Sequence, residues 1–101
     1  VARTTPDLRL RTAAIHWLVD EGDTPQNVEL LASLYDSEKS NEVKAAILHT
    51  LGDSRQKAAL HKLMDVARRD PSVDMRKIAI HSIGESRDPE ALKFLEEIIK
   101  Q

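Results

Sequence analysis

Apolar residues recur at helical spacing in six short runs, and the runs repeat along the chain. Leu10, Ala13, Ala14, Trp17 and Leu18 fall on one helical stripe. Val43, Ala46, Ile47, Thr50 and Leu51 form a second, and Met75, Ile78, Ala79, Ser82 and Ile83 a third. Between and after them lie Val28, Leu31 and Leu34, then Leu60, Leu63 and Val66, then Leu92, Leu95 and Ile98. Equivalent positions are 33 and then 32 residues apart in the first kind of run, and 32 apart in the second. A period of this length denotes stacked supersecondary units, none of which buries its apolar face alone. The pattern predicts helices near residues 8–21, 25–36, 41–52, 56–69, 73–84 and 89–100. No alternating β-branched run predicts a strand.

Capping residues mark the same units. Asp7, Ser40 and Ser72 occupy equivalent positions at the starts of the first helices, where a side-chain oxygen can accept an orphaned backbone N–H. Thr24 and Asp88 precede Pro25 and Pro89, which suit the first helical position. Pro71 must end the helix before it. Gly52 and Gly84 are expected to close the second and third of the first helices in a positive-φ conformation. Val19 stands at that position in the first repeat, so its helix should run on towards Gly22.

At 101 residues the chain is expected to be one domain of three repeats, at about 7–39, 40–71 and 72–101. It begins with Val1 rather than Met and is read as a fragment of a longer protein. The absence of cysteine excludes disulfides, thiolate metal sites and a cysteine nucleophile. No apolar run approaches the roughly 18 residues that span a bilayer, so membrane insertion is not expected. A net charge of −2 argues against a dedicated nucleic-acid binder, which normally presents a basic field.

Val43-Lys44-Ala45-Ala46-Ile47-Leu48-His49-Thr50-Leu51-Gly52-Asp53 resembles the first helix of a HEAT repeat, especially the short bacterial form named after phycobilisome lyases. Met75 to Gly84, followed by Asp88-Pro89-Glu90-Ala91-Leu92, resembles the motif in its fullest form. Departures are Val19 in place of the glycine and Gln56-Lys57 in place of the Asp-Pro pair. The resemblance covers nearly the whole chain and implies an all-α, right-handed solenoid of three stacked helical hairpins. It also implies a non-catalytic module that binds a protein partner along the second helices, which line the concave face of such stacks. An accessory domain of an enzyme, such as a chromophore lyase of the phycobilisome type, is the alternative; a nucleic-acid-binding array ranks third.

Candidate chemistry is sparse. His16, His49 and His81 recur once per repeat, but neighbouring helices lie about 8–10 Å apart. One zinc ion, with ligands at about 2.0–2.1 Å, cannot gather all three. They are read as a row beside the core, and His61 lies apart on a second helix. Arg11, Lys44 and Arg76 form a basic column, and Asp20, Asp53 and Glu85 an acidic one; both are read as register-fixing charges. Arg55, Lys57, Lys62, Arg68 and Arg69 form a basic cluster interrupted by Asp65 and without an aromatic stacking platform. Glu96-Glu97 reads as a solvated face, and no catalytic motif, metal site or cofactor site is expected.

Outside the core stripe, the second helices offer three cross-repeat rows: Glu29, His61 and Lys93; Leu30, Lys62 and Phe94; Ser33, Asp65 and Glu97. From these, Glu29, Leu30, His61, Lys62, Asp65, Lys93, Phe94 and Glu97 are the expected partner-binding residues, with Phe94 read either as an exposed anchor or as a packing residue that covers the final repeat. Leu92, Leu95, Ile98 and Ile99 leave apolar surface on the final helix, from which weak self-association through the terminal repeats is expected.

Overall fold

The computed structural model describes residues 8–86 and 88–100. Among these the chain forms six helices: α1 (Leu8–Glu21), α2 (Pro25–Ser37), α3 (Asn41–Asp53), α4 (Lys57–Arg69), α5 (Val73–Gly84) and α6 (Pro89–Lys100). Every helix read from the sequence is present, with ends within a residue of expectation. Three antiparallel hairpins stack into a right-handed α-solenoid of 42 × 27 × 17 Å. The first helices α1, α3 and α5 pack side by side in one layer, and α2, α4 and α6 make the other. α4 also packs closely on α5, tying the second hairpin to the third.

The caps explain the boundaries. Thr24, Ser40 and Ser72 accept the backbone N–H groups of Asn27, Val43 and Met75 at 3.2–3.3 Å. The Asp88 carboxylate accepts the Glu90 N–H at 2.9 Å. Gln56 makes no such cap; its side chain instead donates to the Asp23 carbonyl at 2.7 Å. Asp7, the expected cap of α1, lies outside the described residues.

The glycine expectation needs correction. No described residue has positive φ, and Gly52 sits within α3 rather than beyond its end. Its role is close approach: a Cβ at Gly52 would stand 3.1 Å from the Ser82 Cβ, where α3 meets α5. Gly52 and Ser82 together let the two axes draw near.

The central hairpin is covered on both sides. Val43, Ala46, Ile47, Leu48, Thr50 and Leu51 are all buried on α3, held between α1 and α5. Ala46→Leu, which adds three carbons to this joint, is expected to lower stability by about 1–3 kcal/mol, read as a lower urea midpoint at unchanged slope.

The end hairpins differ from the stripe read from the sequence. Leu10 and Trp17 remain 61% and 60% exposed, although their equivalents Val43 and Met75, and Thr50 and Ser82, are buried. Ile15, outside that stripe, is fully buried instead. On α6, Leu92 is exposed, Leu95 and Ile98 are partly covered, and Ala91 and Phe94 take the core.

Candidate interaction surface

Two of the three cross-repeat rows lie on one solvent-facing surface. Glu29, His61 and Lys93, and Ser33, Asp65 and Glu97, are all exposed along α2, α4 and α6. The 32-residue spacing repeats each position on each second helix, and the four-residue step from one row to the next keeps both rows on one helical face.

The middle row turns inward. Leu30 is 46% exposed, Lys62 is half-buried and Phe94 is 2% exposed. Lys62 reaches back to Asp36 at 2.6 Å and lies 5.5 Å from the Tyr35 ring centroid. The Phe94 ring lies 4.7 Å from the Arg68 guanidinium. Asp36 and Arg68 are themselves equivalent positions, so this row meets the preceding hairpin. Phe94 is therefore a joint between α4 and α6, which corrects its reading as an exposed aromatic anchor.

The basic cluster is mostly neutralised across the stack. Lys57 pairs with Asp88 at 2.6 Å and Glu90 at 3.2 Å, Arg68 with Glu97 at 3.7 Å, and Arg69 with Asp65 at 3.5 Å. His61 lies 3.1 Å from Glu90. Hydrogen bonding to Asp88 and Glu90 raises the Lys57 pKa, and Lys57 in turn lowers both carboxyls. These pairs are exposed and set register more than stability. Among the described residues, Glu29 and Lys93 have no ion-pair partner.

Deeper charges sit in the linkers between hairpins. Glu38 and Asp70 are equivalent, and each accepts the N–H of the capping serine two residues on, Ser40 or Ser72, at 2.9 Å. Glu38 also binds Arg11 of α1. Asp70 is buried and accepts the Tyr35 hydroxyl proton at 2.6 Å, while Lys44 lies 5.2 Å from the Tyr35 ring centroid. Burial acts to raise the Asp70 pKa, but the Tyr35 hydroxyl, the Ser72 amide and the charges of Lys44 and Arg76 outweigh it and hold the carboxyl low. Glu38 is lowered in the same way: the amides of Ser40 and Lys39, with Arg11, overcome its desolvation. Burial, followed by Asp70, raises the Tyr35 pKa. Arg11 and Lys44 of the basic column thus face the linker acids, rather than Asp20, Asp53 and Glu85. The sequence signal was an acid two residues before each capping serine, which period alone did not single out.

His16, His49 and His81 are exposed on α1, α3 and α5, and His16 Nδ1 lies 2.9 Å from the Thr50 hydroxyl. Among the described residues no group of three histidines or carboxylates is placed to hold a metal ion. The hairpin loops make one larger concavity. Asp23 accepts the Ser54 hydroxyl and Arg55 N–H at 2.6 and 2.8 Å, sealing the first loop to the second. Arg55 occupies the equivalent position in the second loop and, as a donor only, cannot repeat those bonds. An open cleft of about 570 Å³ lies there instead, lined by Asp53, Arg55, Gln56, Glu85, Ser86 and Asp88. No described helix is long and apolar enough to cross a membrane.

Stacked hairpins joined by serine caps and a close first-helix contact are the features by which the chain can be compared with others. HEAT repeats match residues 28–101, which takes in most of α2 and all of α3 to α6. The chain belongs to the HEAT-repeat family. The matched stretch leaves out α1, the helix in which this HEAT protein carries Trp17 and Val19 in place of the small residues of the later repeats. No curated protein and no solved structure matches the chain. HEAT repeats generally mediate protein interaction and scaffolding, and in this member the two exposed rows of the second helices run across all three hairpins.

Proposed function

We propose that this HEAT-repeat chain is a non-catalytic scaffold module, one domain with repeats at about 7–39, 40–71 and 72–101, that holds a protein partner against α2, α4 and α6. The observation that carries the reading is the pair of exposed rows, to each of which every hairpin contributes one residue. Glu29, His61, Asp65, Lys93 and Glu97 make the contact surface, with Ser33 between them. Lys62 and Phe94 support it from beneath, and Leu30 borders it. Glu29 and Lys93, at opposite ends of one row, favour a partner that is basic towards α2 and acidic towards α6. The charge balance, together with ion pairing of Lys57, Lys62, Arg68 and Arg69, favours protein over nucleic acid.

Charge reversal at the two ends tests this reading. Glu29→Lys with Lys93→Glu is expected to weaken partner capture at least tenfold while leaving the thermal melt unchanged, because both side chains are exposed. Retention of the partner by this variant, with loss on changing the cleft residues Arg55 and Glu85, would move the site to the loops. The resemblance of Met75 to Gly84 and Asp88-Pro89 to the phycobilisome-lyase form supports a second reading, an accessory domain of such an enzyme. On that reading the isolated chain binds the enzyme's protein substrate without transforming it.

A further inference from the structure

Three apolar side chains that the repeat pattern would bury stand open at one end of the stack. Leu10 and Trp17 lie on α1 and Leu30 on α2, and all three are exposed. In the second hairpin their columns hold Val43, Thr50 and Lys62, and in the third Met75, Ser82 and Phe94. Each of those six is wholly or partly covered, and the contacts seen for Thr50, Lys62, Ser82 and Phe94 come from the preceding hairpin: His16 meets Thr50, Asp36 meets Lys62, Gly52 meets Ser82 and Arg68 meets Phe94.

The other end shows the converse surface. Leu92 and Ile99 are 63% and 82% exposed, while their equivalents in the second hairpin, Leu60 and Ala67, are buried. A Cβ at Gly84 would meet only Leu95, at 3.9 Å, whereas the same column at Gly52 is closed by Ser82. One end thus presents the residues that a preceding hairpin covers, and the other presents what a preceding hairpin offers.

We infer that a second copy of this chain covers these faces, stacking head to tail so that Leu10, Trp17 and Leu30 of one copy meet Gly84, Leu92 and Ile99 of the next. The occupant follows from register, since the internal joints already show what seats on each column. Carrying that register across the new joint sets His81 against Trp17 as His16 stands against Thr50, Lys93 against Gln26 as His61 stands against Glu90, and the Lys100 stem against Leu30 as Arg68 lies on Phe94. Lys93 and Lys100 thereby meet uncharged partners. Glu85 and Asp20 then line one cleft, as Asp53 and Glu85 do between the second and third hairpins, so added salt should strengthen the association by screening two like charges. Trp17 is larger than the Ser82 it replaces in register, so its indole lies across the open Gly84 and the joint is wider and weaker than those inside the chain. Such a contact is heterologous and does not close on itself.

Two single-ended variants of the whole chain test the inference. Trp17→Lys blocks one face and Ile99→Lys the other, and both positions are exposed enough to leave folding intact. Sedimentation of the parent should show mass rising with concentration beyond the dimer. Each variant alone should need at least tenfold higher concentration to associate. Mixed together, the two should form a heterodimer and stop there. Trp17 is the chain's only tryptophan, so its fluorescence in the Ile99→Lys chain should shift to the blue as the Trp17→Lys chain is added. A parent that stays monomeric to about millimolar concentration overturns the inference. So does either variant dimerising alone as readily as the parent, or a mixture without heterodimer.

Discussion

Asp70→Ala should destabilise the chain by about 2–4 kcal/mol, more than any change on its charged surface. The substitution strands the Tyr35 hydroxyl and the Ser72 amide, which both donate to Asp70. It also leaves Lys44 and Arg76 without the carboxylate they face. Hydrogen bonds to a charged group contribute about 1.5–3 kcal/mol, and a buried donor left unsatisfied costs about 1–3 kcal/mol. Tyr35→Phe removes one of these bonds and should cost about 1.5–3 kcal/mol. The two effects should fall well short of additive in the double variant, because they share one interaction.

The same pair fixes the response to pH. Asp70 and Glu38 have lowered folded-state pKa values. Their contribution is therefore complete above the ordinary carboxyl range of about 3.9–4.3 and is lost as pH falls through the lower folded values. Tyr35 is shifted upwards, so its contribution is present below about pH 10 and fades as pH rises past that ordinary value. Urea midpoints measured against pH should show an acid limb that shrinks in Asp70→Asn and an alkaline limb that shrinks in Tyr35→Phe, the exposed Lys57 pair supplying what remains. An unchanged acid limb in Asp70→Asn would mean that the linker carboxylate is not what holds the hairpins together in mild acid.

Met75→Ala should cost about 2–5 kcal/mol, while Leu10→Ala, in the same column, should stay within about 0.5 kcal/mol. Met75 is 3% exposed between hairpins and leaves a cavity when truncated, whereas Leu10 already faces water. Guanidinium melts of the two variants give the comparison directly. Equal losses would show that α1 has a cover at dilute concentration.

These pairs also mark where sequence reading succeeds and where it stops. Thr24, Ser40 and Ser72 are legible because a cap is a local event, requiring one side chain and an amide three residues away. The stripe on α3 is legible because an internal helix is covered on both flanks, so every apolar position on its face finds a neighbour. A column cannot distinguish an internal hairpin from an outer one. Leu10 and Trp17 therefore read as core, although no described element covers them. α6 is ambiguous for another reason: Ala91, Leu92, Phe94, Leu95, Ile98 and Ile99 are apolar across nearly half the helix. Two stripes fit that pattern, and packing on α5, with Arg68 of α4 over the ring, selects the one containing Phe94. The exposed rows were legible because 32-residue spacing preserves helical phase. The Tyr35 and Asp70 contact was not, because it joins a helix end to a linker with no matching partner in the other repeats.

The asymmetry between Asp23 and Arg55 closes the two joints unequally on their loop side. At the first joint the loops are locked by a carboxylate on a hydroxyl and a backbone amide. At the second the loops stand apart across the cleft, and the loop-side tie described there is the solvent-exposed cluster of Lys57 with Asp88 and Glu90. Ions screen that cluster far more than the sealed first joint. Added salt should therefore loosen the rim of the second joint before that of the first, while the close packing of α4 on α5 keeps its base shut: the cleft widens like a book held at the spine.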